Sequence, residues 1–204
     1  MGHWDSYYAS GQVPDLPSQF AVFIANEFPE STAVLDVGCG NGRDSGFFMR
    51  QGKQIVGVDR SQTAVDHCRA HIGGCARFLV GSVEQPQLWD TLASELQDEG
   101  GPLLVYARFF LHAIDEAAET VLLNGAARLL ADRPGALCIE CRTARDRTGE
   151  KVTPDHYRRY LEPAQLHRRL QGAGFAVDYA IEGFGFAKYK ADDAHVLRVI
   201  ASRG

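Results

Sequence analysis

Short apolar runs alternate with helical stretches at least five times along this 204-residue chain, and that alternation narrows the fold more than any other feature. The runs Ala33–Val37, Gln54–Val58, Ala76–Val80, Pro102–Ala107 and Ala136–Cys141 read as strands bounded by turn residues. Between them, Asp44–Gln51, a segment opened by Ser61 and reaching His71, one opened by Pro86 and one capped by Asp115 read as helices. Strands that are apolar on both faces and separated by helices belong to a parallel sheet covered on both sides. After a helix over Ala164–Gln171, the runs Phe175–Ile181 and His195–Ala201 follow with no helix between them, so they should pair as an antiparallel hairpin. The expected fold is α/β: a doubly wound, mostly parallel seven-stranded sheet with an antiparallel C-terminal strand hairpin and helices on both faces.

No Ser/Gly tract, Pro-rich run or repeat marks a boundary, so a single domain over 1–204 is expected. Within it, residues 1–30 read as an N-terminal lid and 143–160 as an insertion on the substrate side. The net charge of −5 repels polyphosphate backbones, so no nucleic-acid partner is expected. No apolar run approaches the length of a membrane span, and no basic stretch leads an apolar core at the N-terminus. A cytoplasmic protein is therefore expected. Its five cysteines read as reduced thiols: Cys138 and Cys141 fall at odd spacing on one strand, which sends them to opposite faces, and no second pair completes a metal site.

The informative stretch is Asp36-Val37-Gly38-Cys39-Gly40-Asn41-Gly42, where the first strand runs into a glycine-rich turn. Glycines let the backbone turn sharply and approach a ligand that a Cβ would block. Exposed N–H groups of the turn and the following helix favour an anionic group. Asp59 ends the next strand, 17 residues after Gly42, beside the same crevice, where its carboxylate can accept both hydroxyls of a ribose. A nicotinamide-dependent dehydrogenase is the competing reading, but its fingerprint is Gly-x-Gly-x-x-Gly, whereas this loop is Gly-x-Gly-x-Gly.

Val34-Leu35-Asp36-Val37-Gly38-Cys39-Gly40-Asn41-Gly42 resembles motif I of the class I S-adenosylmethionine-dependent methyltransferases, and Val56-Gly57-Val58-Asp59 resembles their second motif. The final strand pair also fits that family's seven-stranded sheet. The resemblance implies S-adenosyl-L-methionine as cofactor. Gly38, Gly40 and Gly42 would pack against its methionine part, with Cys39 in the same loop. Asp36 would orient the loop and the amino group, and Asp59, followed by Arg60, would hold the ribose. At the third motif many relatives carry Asp, whereas this chain reads Gly81-Ser82-Val83-Glu84. Ser82 and Val83 are the candidates for the adenine contact.

Methyl transfer from a sulfonium needs alignment and desolvation first, and a general base only when the acceptor is a hydroxyl or a protonated amine. The end of the fourth strand, Tyr106-Ala107-Arg108-Phe109-Phe110-Leu111-His112, is the expected reaction site, with His112 as base beside Tyr106 and Arg108. It lacks the Asn/Asp-Pro-Pro-Tyr/Phe segment of relatives that methylate amino groups of bases or glutamine. Beyond the fifth strand, five arginines and one lysine crowd residues 142–159. Arg142, His156, Arg158 and Arg159 are the candidates for an anionic substrate, since guanidinium forks suit carboxylate or phosphate. Tyr7 and Tyr8, near Trp4 in the leading segment, would line the transfer site. The expected activity is O-methylation of a small, anionic metabolite. N-methylation and cofactor binding without turnover are the alternatives.

Overall fold

The computed structural model describes residues 3–9, 14–97, 100–147 and 157–204. In chain order the elements are α1 (His3–Ala9), α2 (Gln19–Glu27), β1 (Ala33–Val37), α3 (Arg43–Arg50), β2 (Gln54–Asp59), α4 (Gln62–His71), β3 (Ala76–Val80) and α5 (Pro86–Glu95). They continue with β4 (Leu103–Arg108), a 3-10 turn (Leu111–Ala113), α6 (Glu116–Leu129), β5 (Gly135–Arg142), a second 3-10 turn (Ala144–Asp146), α7 (Pro163–Gly172), β6 (Phe175–Gly183) and β7 (Val196–Arg203). The seven strands form one sheet in the order β3-β2-β1-β4-β5-β7-β6. Strands β1 to β5 pair in parallel, and β7 runs against both β5 and β6, so it is the one reversed strand. The expected hairpin is present, and an irregularity between Val177 and Tyr179 bends β6 against β7.

Local chemistry sets the helix starts. Ser18, Ser61 and Asp115 each accept the N–H of the residue three positions on, and Pro86 and Pro163 open α5 and α7. Two apolar clusters lie on opposite faces of the sheet. One joins Leu35, Val56 and Val105 to Trp89, Leu122 and Leu166, from α5, α6 and α7. The other joins Val34, Ile55 and Leu104 to Phe20, Phe48 and Val65, from α2, α3 and α4. Cys138 falls in one cluster and Cys141 in the other, and all five cysteines are free thiols. Phe20, Ala21 and Ile24 of α2 are fully buried, so within residues 1–30 this helix is part of the core. Among the described residues, no helix is long and apolar enough to cross a membrane.

This strand order fixes where a ligand can sit. From β1 the chain winds outward through β2 and β3, then returns to the other side for β4 and β5. The loops after β1 and β4 therefore diverge and leave a crevice at the carboxyl ends of the strands.

Candidate functional site

Two cavities fill that crevice. The larger, about 180 Å³, runs from Asp36 and Gly38 past Tyr106, Arg108 and His112 to Arg142, Arg158 and Tyr189. The smaller, about 70 Å³, is lined by Asp59, Arg60, Ser82, Val83, Phe110 and Ile114, among others. Trp4, Tyr8, Gly38 and Phe109 line both and form a waist between them.

The glycine loop does less with its amides than the sequence suggests. Gly38 and Cys39 both donate their N–H to the Val58 carbonyl, Gly40 donates to Asp59 Oδ2, and Gly42 donates to the Cys39 carbonyl. Those four amides are occupied within the fold, which corrects the expectation of an open anion cradle there. What the glycines supply is clearance and backbone freedom. Gly38, Gly40 and Gly42 all take positive φ, and a Cβ at Gly40 would lie 2.5 Å from the Tyr8 hydroxyl. A Cβ at Gly38 would collide with the Phe110 ring, and one at Gly42 with Ile72.

Asp59 accepts from Gly40 N–H with one oxygen and from Ser61 N–H with the other, at 3.0 and 2.9 Å. A carboxylate offers about four lone-pair sites, so acceptor capacity remains on the side that faces the smaller cavity. Burial raises the pKa of this carboxyl, and the two backbone donors oppose the rise. Asp36 is deeper. Burial pushes its carboxyl up to about 7, partly opposed by the Ser45 hydroxyl that donates to it and further raised by Asp44 and Asp59.

Tyr106 is fully buried, and its hydroxyl donates to Asp44 Oδ2 at 2.9 Å. Burial and the neighbouring Asp44 push its pKa well up, so the phenol stays protonated. Asp44 also accepts the N–H and the hydroxyl of Ser18 at 2.7 and 2.8 Å, which ties the start of α2 to the first turn of α3 and to β4. His112 is buried on the cavity wall, and its Nδ1 accepts the Arg142 N–H at 3.4 Å. A neutral ring that accepts there carries its proton on Nε2.

The basic residues divide into distinct groups. Arg142 donates to Asp146 and Asp192 at 2.5 and 2.6 Å, both buried, so its fork is filled from within. Arg159 lines neither cavity; it binds Glu119 and the carbonyls of Leu111 and Ile114 on the α6 side. Both are corrections to the expected anion site: Asp146, four positions on, and the distant Asp192 claim Arg142, and the distant Glu119 claims Arg159. Arg108 donates to Glu140, which also takes Arg198. Arg158 lines the larger cavity, whereas His156 lies outside the described residues.

Several wall residues carried no sequence signal. Ala187, Tyr189 and Asp192 come from the connection between β6 and β7. Arg43 and Asp44 follow Gly42 directly and could have been found by asking what the first turn after a glycine loop faces. Phe109 takes a positive φ of 53°, with the Arg108 guanidinium 4.2 Å from its ring centroid and that of Arg142 5.1 Å away.

Residues 34–133 match the model of a family described as a methyltransferase domain. No curated protein matches the chain significantly. Among solved structures, a TehB-like S-adenosylmethionine-dependent methyltransferase from Corynebacterium glutamicum aligns with a TM-score of 0.68 and 17% identity, covering 98% of this chain and 94% of that one. The glycopeptide N-methyltransferase MtfA, complexed with S-adenosylmethionine, gives 0.68 and 17%, covering 93% and 95%. The Burkholderia thailandensis 1,6-didemethyltoxoflavin-N1-methyltransferase, bound to its substrate and S-adenosylhomocysteine, gives 0.61 and 22%, covering 90% and 76%. At these identities the likeness shows a shared fold. The family match identifies a methyltransferase domain over residues 34–133, and the seven-stranded sheet built around it is the fold of these S-adenosylmethionine-dependent enzymes.

Proposed function

We propose that this methyltransferase acts on a small, negatively charged acceptor in the larger cavity, at an oxygen that is already ionised. The carrying observation is on that wall: arginines 43, 108 and 158 line it, while the Tyr106 phenol is held protonated and His112 Nδ1 is turned to the Arg142 N–H. A carboxylate or phenolate needs no base, so the two features agree. The aromatic rings of Trp4, Tyr7, Tyr8 and Tyr189 complete the wall and suit a compact organic acid.

Bound S-adenosylmethionine supplies a methyl group activated on a sulfonium sulfur. Around it the chain provides position and dryness. The spare lone pairs of Asp59 suit ribose hydroxyls, with Arg60, Ser82 and Val83 along the adenine side. Gly38 gives clearance at the waist. Asp36, adjoining the larger cavity, is half-ionised near neutrality and gains from a cationic amino group brought beside it. Acceptor and sulfonium carry opposite charges that disappear on transfer, so excluding water from the waist favours the step.

Incubation with S-adenosylmethionine and a panel of small carboxylates, phenols and amines, read by mass spectrometry, tests this reading. Methylated oxygen on an acid or phenol is expected. Products restricted to uncharged nitrogen acceptors would overturn the choice of oxygen. S-adenosylhomocysteine binding with no product across the panel would favour the non-catalytic alternative.

A further inference from the structure

The arginines of the larger cavity are unequally satisfied, and the difference marks one of them. Arg108 donates to Glu140 at 2.8 Å, and Arg142 is held by two carboxylates at 2.5 and 2.6 Å. Arg43 has no comparable partner. Its guanidinium reaches the Leu16 carbonyl at 3.3 Å and approaches Asp44 only to 3.9 Å. Asp44 already accepts three hydrogen bonds, from Ser18 N–H, Ser18 Oγ and Tyr106. A guanidinium carries five N–H donors in a planar fork. That of Arg43 is only 16% exposed, and its side chain lies on the cavity wall. Burial and the nearby positive charge of Arg108 work against its ionised form, and Asp44 and Glu140 offset them only in part, without filling its fork. Tyr7 lies within electrostatic reach of both Arg43 and Tyr189, and all three line the cavity.

We infer that Arg43 is the carboxylate-anchoring residue of the larger cavity, taking a planar acid group on its open fork between Tyr7 and Tyr189. A bidentate guanidinium–carboxylate pair fills the open fork and fixes orientation. The inference deepens the methyltransferase reading and rests on it. Two carboxylates have the required chemistry: that of the cofactor's methionyl end, since Arg43 directly follows the glycine loop, and that of the acceptor.

Titration calorimetry on the full chain separates them, comparing wild type with Arg43→Gln and Arg43→Lys. The probes are S-adenosylhomocysteine, 5′-methylthioadenosine, which lacks the amino-acid end, and benzoate added to free and S-adenosylhomocysteine-saturated protein. If the cofactor's carboxylate is the partner, Arg43→Gln weakens S-adenosylhomocysteine at least tenfold and leaves methylthioadenosine unchanged. If an acceptor acid is the partner, benzoate weakens at least tenfold and S-adenosylhomocysteine is unchanged. Partial recovery in Arg43→Lys is expected in either case. Unaltered binding of both S-adenosylhomocysteine and benzoate would overturn the inference, as would equal losses for S-adenosylhomocysteine and methylthioadenosine. Wild-type protein that fails to bind S-adenosylhomocysteine would instead sink the cofactor assignment, with the benzoate arm on free protein still reporting on Arg43.

Discussion

The two halves of the crevice are built in different ways. The smaller cavity draws on short stretches, 58–60, 81–84, 109–110 and 113–114, with Trp4, Tyr8 and Gly38 added at the waist. The larger cavity gathers residues from α1, the start of α3, the end of β4, β5 and the β6–β7 connection, which span most of the chain. The first half is held by backbone hydrogen bonds within and between adjacent loops. The second is held by buried ion pairs between distant segments, such as Arg142 with Asp192. A half made from local sequence can keep one ligand while the other half is remodelled for different acceptors.

That contrast can be broken at its strongest point first. Asp59→Ala removes the acceptor of the Gly40 and Ser61 amides together with the proposed ribose contact. S-adenosylhomocysteine affinity should fall by about a hundredfold or more in calorimetry, because charge-assisted hydrogen bonds are lost in a buried site. Arg142→Met tests the other half. It takes the cation away from Asp146 and Asp192, and should lower unfolding free energy by about 3–5 kcal/mol in denaturant melts. If instead it weakens acid binding without loss of stability, the correction to Arg142 fails.

Asp36 sharpens the comparison through pH. Its folded pKa, about 7, lies above the ordinary value of 3.8, so the native state holds a proton that the unfolded chain has released. Stability without ligand should therefore decrease as pH rises, by about 3 kcal/mol between pH 5 and 8, and level off above the folded pKa. Asp36→Asn should flatten that slope in melts while weakening cofactor binding. The smallest effect is expected at His112. If it acts as a donor, His112→Gln lowers kcat by less than about tenfold and leaves the pH–rate profile in place, since loss of a general base costs about a hundredfold or more.

The fold was readable because each element announces itself locally. Ser61, Asp115 and Pro86 mark helix starts, and the apolar runs place all seven strands within a residue or two of their observed ends. The place of the glycine loop and of Asp59 at the crevice was readable for the same reason, since Asp36 through Gly42 and Asp59 form one strand–turn–helix–strand unit. The acceptor side was not. Nothing near Arg159 indicates that Glu119, 40 positions earlier, claims its guanidinium, and nothing near Arg142 points to Asp192. Charge density in the sequence pointed to an anion site, but pairing inside the fold decided which of those charges remain open.

Phe109 carries one more consequence. An aromatic residue with φ at 53° holds about 1–3 kcal/mol of backbone strain, sustained here by its amide bond to the Glu140 carbonyl and by two flanking guanidiniums. A glycine at that position would relax the chain and at the same time remove a ring that stands between the smaller cavity and the larger one. Thermal tolerance then reads the balance between the strain released and the ring's lost packing on Ala187, Ala194 and Val196, while turnover reads the lost partition, so one substitution separates what the ring does for the fold from what it does for the crevice.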